Sequence, residues 1–171
     1  MENENPMREI MVGKVTVNMG VGQTGEELTK GMKIIELVTG SKPVATSCKV
    51  KQPAWGIREG LTIGAKVTLR GQKAITFLEK ALVAKEKTLK KKNFDTAGNF
   101  GFGIKEYIDM PNTKYDPSLG IRGMDVLVTL KRPGFRLKAR KVRKKKIPMK
   151  HRIDKGEAIE FVSKKFGVVI K

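Results

Sequence analysis

The densest group of chemically active side chains in this sequence lies between residues 131 and 152. These 22 residues contain twelve Lys or Arg and no acid. Each phosphate that such cations neutralise adds about 0.7 to 0.9 to the slope of log affinity against log salt. The run therefore predicts a segment that binds a polyanion, and the alternative is a solvated tail or a targeting signal. The predicted phosphate-binding residues are Arg132, Arg136, Arg140, Arg143, Lys144, Lys145 and Lys146.

A second group of this kind falls in residues 48–60, which Pro and Gly residues predict to be a long loop rather than a tight turn. The loop carries the only Trp of the chain, Trp55, among the cations Lys49, Lys51 and Arg58. An exposed Trp can stack on a base or a sugar while nearby cations meet phosphates. The alternative is that Trp55 folds back onto the core of its own domain, and the sequence leaves both possibilities open.

The spacing Gly20-x-Gly22-x-x-Gly25 matches the dinucleotide-binding fingerprint. That fingerprint needs a parallel strand after the helix and an acid at its end, about 20 residues on. Residues 41–47 contain no acid, and the next two strands have the pattern of an antiparallel pair. We therefore expect a turn and a helix start here rather than a cofactor site.

Side chains for catalysis or metal binding are scarce. Cys48 and His151 are the only thiol and imidazole, so the sequence supports neither a Cys/His zinc site nor a Cys-His catalytic pair. Phe100 and Phe102 lie in a stretch like the stacking motif of RNA-recognition domains, but the pattern is incomplete and a core position is the better prediction. We expect no enzyme activity, no cofactor and no metal.

Composition points to the same kind of partner. The 171 residues carry 36 Lys plus Arg against 17 Asp plus Glu, which gives a net charge of +19 and a pI near 10.1. A field of that sign attracts polyanions such as nucleic acids. The length predicts a single domain over residues 1–171, and the single cysteine fits a reducing compartment. Residues 1–5 show no secretory signal pattern and no apolar run is long enough to span a membrane, so we expect a soluble intracellular protein without membrane contact.

The alternation of apolar and polar residues predicts an α+β fold, with a largely antiparallel sheet, helices packed on one face and the long loop between the second and third strands. A capping box at Thr24 and Glu27 predicts the first helix start, and Gly31 within that helix predicts either close packing or a weak turn. The predicted strands cover residues 8–19, 43–46, 61–70, 94–107 and 123–131, and the predicted helices cover residues 24–40, 72 to about 91, and from about 154 onward.

Two of these strands place polar residues on the face that the helices leave uncovered. The residues of this polar face are Lys14, Thr16, Asn18, Lys66, Thr68 and Arg70. Positive charge and hydrogen-bond donors without an acid suit sugar, phosphate and exposed base edges. The alternative is an ordinary solvated face, and the strong net charge favours binding.

Several blocks of sequence, in order, resemble one family. They are VTVNMGVG at 15–22, TGSKPV at 39–44, GIREG at 56–60, KVTLRG at 66–71, FDTAGNF at 94–100 and GIRGMD at 120–125. The chain resembles the universal 5S-rRNA-binding proteins of the large ribosomal subunit, the ribosomal protein L five family. The short N-terminus and the basic run resemble the archaeal and eukaryotic branch, and the compact length favours the archaeal type.

This resemblance implies a structural role in the cytoplasmic ribosome rather than catalysis. It implies that the protein holds 5S rRNA against the large-subunit rRNA in the central protuberance, beside neighbouring ribosomal proteins. It also implies that the 48–60 loop faces P-site tRNA. Carried over by position, Asn18, Ser41, Thr68 and Arg70 would contact 5S rRNA. Lys42, next to Ser41, is a further predicted rRNA-binding residue.

Two alternatives belong to other classes of protein. A general basic nucleic-acid-binding protein outside the ribosome, such as a DNA-compacting protein, or a membrane-surface protein would depend on the basic run alone and would show no preference for 5S rRNA. A nucleotide-dependent enzyme would bind a cofactor tightly even at high salt.

Overall fold

The computed structural model describes residues 5–111 and 113–171. Part of the 1–5 stretch and residue 112, in the predicted loop at 109–122, fall outside those ranges. The strands are β1 (Met11–Gly20), β2 (Val44–Ser47), β3 (Thr62–Leu69), β4 (Thr88–Leu89), β5 (Phe100–Ile104), β6 (Met124–Lys131) and β7 (Val169–Ile170), and the helices are α1 (Glu26–Thr39), α2 (Gln72–Ala84) and α3 (Lys155–Phe166).

Five strands form one sheet in the order β2-β3-β1-β6-β5, and every neighbouring pair is antiparallel. The predicted α+β architecture is confirmed. The dinucleotide-binding arrangement is excluded, because the two neighbours of β1 both run antiparallel to it. Among the helices of the described ranges, none is long and apolar enough to cross a membrane.

One side of the sheet forms the core, and the three helices pack on it. The predicted inward residues of β6, Met124, Val126, Val128 and Leu130, are all buried. Phe100 and Phe102 are buried as well, so their core assignment is confirmed. Leu28, Ile34 and Ile35 of α1 join the same cluster as Phe77 and Leu78 of α2 and Ala158 and Val162 of α3. Burial of this continuous apolar surface is the main force that holds the helices on the sheet.

The first helix begins later than the sequence predicted. The N-cap is Gly25, with no side-chain cap, so the capping box at Thr24 is wrong. Glu27 instead contacts Arg122 and Lys30 through its side chain. Close packing at Gly31 is confirmed, because a Cβ there would lie 3.0 Å from Cγ2 of Val21.

The second helix ends at Ala84, so its predicted continuation to residue 91 is wrong. Glu86 and Lys87 have positive φ angles of 54° and 49°, which turn the chain out of the helix. The chain then enters β4, which pairs in parallel with β7 near the C-terminus. This pairing joins parts of the chain that are far apart in sequence, and local helical periodicity carries no signal for it.

Candidate nucleic-acid interface

The polar face predicted from β1 and β3 forms one continuous surface. The register places Thr16 opposite Thr68 and Asn18 opposite Lys66. Lys14, Lys66, Thr68 and Arg70 are exposed, and Thr16 and Asn18 are half-buried between them. Buried Val15, Val17, Val67 and Leu69 alternate with these residues and point to the core. All six predicted residues therefore share the uncovered side of the sheet, which is called the open face below.

Strands β5 and β6 extend the open face with residues of different character. Asp125 lies opposite Asn18 in the ladder, and Leu127 lies opposite Thr16 and is 50% exposed. Gly101 and Gly103 of β5 continue these rows without side chains. The face is therefore acid-free only on β1 and β3. The alternation in β6 already contained the signal, because inward Met124 and Val126 require Asp125 and Leu127 to point outward.

Ser41 and Lys42 lie at the edge of the sheet, between the end of α1 and the start of β2. The hydroxyl of Thr39 donates a hydrogen bond to the carbonyl of Ser41 at 3.3 Å. Lys42 is exposed and Ser41 is half-buried. Val44, two residues further on, pairs with Lys66 of the open face. The structure thus brings Ser41 and Lys42 to the β2 side of the same surface.

The 48–60 loop is an ordered extension of the β2–β3 hairpin. At its base, the N–H of Cys48 donates to the carbonyl of Leu61 at 2.8 Å, and the N–H of Gly60 donates to the carbonyl of Cys48 at 2.9 Å. Nearer the tip, Gln52 and Ile57 exchange two backbone hydrogen bonds of 2.9 and 3.1 Å. Ile57 is the one buried residue of the loop. The loop therefore has a defined shape of its own.

Trp55 lies at the tip of this loop, in a single 3-10 turn with Pro53. Its exposed fraction is 76%, so the possibility that it packs in the core is excluded. Lys49, Lys51 and Arg58 are exposed as well. The loop therefore presents an aromatic ring and three cations to solvent.

The 131–152 run, called the basic segment below, is a chain of turns that leaves β6 and returns to α3. Its first residue continues the open face, since the aliphatic part of Lys131 lies against Gly13 of β1. The cations predicted to bind phosphate are exposed with one exception; the exposed ones are Arg136, Arg140, Arg143, Lys144, Lys145 and Lys146.

Arg132 is the exception, with an exposed fraction of only 4%. Its guanidinium donates hydrogen bonds to the carbonyls of Arg8 and Arg152 and to the carboxylate of Glu157, all at 2.9 Å. With every branch of the guanidinium hydrogen-bonded inside the protein, the structure does not place Arg132 among the exposed cations of the segment, and its contact with phosphate stays a prediction. The burial of Arg132 has no signal in the sequence, because a buried Arg and an exposed Arg are indistinguishable within a basic run.

Two carboxyl groups in the described ranges have lowered pKa values. Partial burial raises the pKa of Glu157, but the backbone N–H of Asp154 and the guanidinium of Arg132 outweigh that effect and lower it below the ordinary 4.5. The hydroxyl and backbone N–H of Ser118 lower the pKa of Asp116 below 3.8. Asp116 belongs to the 109–122 loop, where its own N–H donates to the buried hydroxyl of Tyr107 at 3.2 Å. Neither carboxylate lies on the open face.

Within the described ranges, no group of three or more His, Cys, Asp or Glu side chains could hold a metal ion. An antiparallel sheet with one face covered by helices and a cationic open face is typical of nucleic-acid-binding proteins.

Comparison with known proteins gives the family. A model described as Ribosomal protein L5 matches residues 5–58, and a second model, described as the C-terminus of the same ribosomal family, matches residues 62–164. The "Large ribosomal subunit protein uL5" of Methanococcus vannielii is 51% identical over 170 residues, which cover 98% of this chain and 94% of that protein. Its counterpart in Methanococcus maripaludis is 52% identical with the same coverage. The counterpart in Sulfolobus acidocaldarius is 47% identical, over 99% of this chain and 95% of that protein.

The chain belongs to the ribosomal protein L5 family and is a structural protein of the large ribosomal subunit, of archaeal type. The family resemblance seen in the sequence is thereby confirmed, and so is the expectation that the protein is not an enzyme.

Proposed function

We propose that this protein binds 5S rRNA and large-subunit rRNA in the central protuberance, and that its 48–60 loop contacts P-site tRNA. The observation that carries the proposal is the open face. Three exposed cations, Lys14, Lys66 and Arg70, surround the hydroxyls and the amide of Thr16, Thr68 and Asn18 on a surface that no helix covers. Such a surface offers charge to phosphates and hydrogen bonds to 2′-hydroxyls and base edges.

The basic segment supplies the charge for the second rRNA contact. It joins the open face through Lys131 and carries exposed cations beyond it. Two RNA-facing surfaces on one small protein suit a role in holding two RNA molecules together. Neighbouring ribosomal proteins of the central protuberance would contact surfaces other than the open face and the basic segment.

The 48–60 loop supports the tRNA part of the proposal by its shape. It has few charges, an exposed indole at its tip and a hydrogen-bonded base that gives it a defined shape. An exposed aromatic ring on a rigid support can stack on a base or a ribose at a distance from the main RNA contact.

The test is a filter-binding assay with the double variant Thr68→Ala, Arg70→Ala. Both side chains are exposed on the open face, so the free energy of unfolding should change by no more than about 0.5 kcal/mol for each. Affinity for 5S rRNA should fall clearly. The matched control is Lys73→Ala, Thr76→Ala, which removes a cation and a hydroxyl from the exposed side of α2 and should leave affinity unchanged. Unchanged affinity in the open-face variant, with native circular dichroism, would exclude this face.

Competition with an unrelated RNA duplex tests the alternative of a general basic nucleic-acid-binding protein. A protein that reads 5S rRNA by shape and base edges should retain it against an excess of the duplex. A protein that binds through charge alone should release both RNAs equally as salt rises.

A further inference from the structure

We propose that Arg132 is a positioning residue that closes the basic segment into a preformed loop before RNA arrives. The consequence for RNA binding rests on the function proposed above, whereas the closure is a property of the free protein.

The three hydrogen-bond partners of the Arg132 guanidinium are all distant from it in sequence, by 124, 20 and 25 residues. Nε donates to the carbonyl of Arg8, just before β1, and Nη1 donates to the carbonyl of Arg152, at the far end of the segment. Nη2 donates to Glu157 in the first turn of α3. The hydrogen bond to Arg152 connects the two ends of the basic segment directly, so that these ends lie beside each other in the fold.

A second contact closes the segment beside the first. A ring nitrogen of His151, Nε2, lies 2.9 Å from the carbonyl oxygen of Pro133. The imidazole also meets the ring of Phe135 edge-on, with 5.8 Å between the ring centroids. These two contacts hold the ends of the basic segment together, so the segment is a closed loop rather than a free tail.

Bonds within the loop hold its interior. The N–H of Lys145 donates to the carbonyl of Leu137 at 3.3 Å, and the N–H of Ala139 donates to the carbonyl of Arg136 at 3.0 Å. Ile147, within the loop, is buried. The backbone that carries the cations is therefore held in place, whereas the backbone of a solvated tail would be free to move.

The choice of Arg at position 132 follows from this geometry. Three acceptors lie in three directions, and a planar guanidinium can reach all of them, whereas an ammonium group on a flexible stem cannot. Electrostatic repulsion within the segment opposes its closure. The twelve cations of the segment repel one another and favour an extended chain. Of the pair Arg132–Glu157 only Arg132 is buried, because the Glu157 side chain is 38% exposed. Removing Glu157 therefore leaves a buried charge with one partner fewer.

Closure matters for affinity because binding a flexible segment costs conformational entropy. A loop that is already closed has lost that entropy during folding, so that less is lost when RNA binds. The number of phosphates neutralised in the complex stays the same. Loss of closure should therefore weaken binding without changing its salt dependence, which separates this role from that of a phosphate contact.

The first experiment measures amide hydrogen exchange of the free protein in three forms: wild type, Arg132→Lys and Glu157→Gln. Glutamine keeps the capping box of α3, so that Glu157→Gln removes the ion pair alone. Exchange at Lys145 and Ala139 should become at least about tenfold faster in Arg132→Lys and faster by a smaller factor in Glu157→Gln, while the amides of β1 and β3 stay protected. The matched control Arg140→Lys makes the same substitution at an exposed position of the loop and should exchange like wild type.

Wild-type exchange at Lys145 and Ala139 in both variants would overturn the proposal. Faster exchange spread equally over the loop and the sheet would also overturn it, since Arg132 would then stabilise the whole fold and not the loop.

The second experiment measures 5S rRNA binding over a range of salt. Arg132→Lys keeps the net charge, so we expect affinity about tenfold weaker with an unchanged slope against salt. Arg132→Gln removes the charge, so a salt slope smaller by about one in that variant would mean that Arg132 contacts a phosphate. Unchanged affinity in Arg132→Lys would mean that the closure has no role in binding. If wild type shows no preference for 5S rRNA, the proposed function fails, and the exchange experiment still decides whether Arg132 closes the loop.

Discussion

Replacing Trp55 with alanine should leave the fold nearly as stable as before and weaken the contact with tRNA. Complete truncation of a buried Trp costs about 3 to 5 kcal/mol. The indole of Trp55 is 76% exposed, so only about a quarter of that loss, near 1 kcal/mol, applies here. In a chain of 171 residues this corresponds to a fall in melting temperature of about 2 to 4 °C.

The effect on tRNA should be larger than the effect on stability. Stacking of a base on an aromatic side chain contributes about 1 to 3 kcal/mol by alanine substitution. Ribosomes assembled with Trp55→Ala should therefore release P-site tRNA at least about fivefold faster, since 1 kcal/mol is about a factor of five.

The assay pairs thermal unfolding of the free protein with tRNA dissociation from assembled ribosomes. Trp55→Phe keeps an aromatic face and should retain much of the tRNA contact. Tyr115→Ala removes an aromatic ring of 53% exposure from a different loop and should leave tRNA unaffected. Equal tRNA release from wild-type and Trp55→Ala ribosomes would refute the role of this loop. A fall in melting temperature of more than about 8 °C would refute the premise that the Trp55 ring does not pack in the core.

Three further predictions concern charge, close packing and pH. Replacing the lysines at 144–146 with Gln should reduce the salt slope of rRNA binding by about two to three, whereas the same change at the exposed lysines 90–92 should leave the slope as it is. Gly98→Ala should cost about 2 to 4 kcal/mol in urea unfolding, since φ is +74° and a Cβ would lie 2.6 Å from Cγ2 of Ile153; a loss below about 0.5 kcal/mol would show that the neighbours yield. The pKa of Glu157 is lowered in the folded protein, so its contribution to stability is complete above pH 4.5 and is lost as pH falls through the folded pKa. Acid titration of stability should therefore be shallower below pH 4.5 in Glu157→Gln than in wild type.

Much of the fold could be predicted because its signals are local. The alternation in β1, β3 and β6 identifies which side chains are buried, since successive residues of a strand point to opposite faces. The same rule assigns Thr68 and Arg70 to the open face without any knowledge of what packs on the other side. The RNA contacts of these residues stay predictions, because the fold shows where a side chain lies and not what binds it.

The elements that were predicted wrongly depend on contacts between distant parts of the chain. Helix α2 was extended too far because its lysine-rich end continues a helical pattern, while the pairing of β4 with β7 ends it earlier. Thr24 and Glu27 form no capping box because the N-cap is Gly25 and Glu27 is the second residue of the helix. The carboxylate of Glu27 contacts Arg122 instead, 95 residues away in sequence. Local propensity cannot report such competition.

For this protein, the sequence alone determined the two-sided sheet, the exposed charge and the family, because periodicity, composition and short motifs are readable one segment at a time. Only the tertiary structure decided that the Trp55 side chain is exposed and that the Arg132 side chain is buried. Trp55 projects into solvent because its loop closes on itself, and Arg132 is buried because Arg8, Arg152 and Glu157 converge on it. Convergence of this kind is a property of the folded chain, since the same residue type in the same basic run has a different environment at each position.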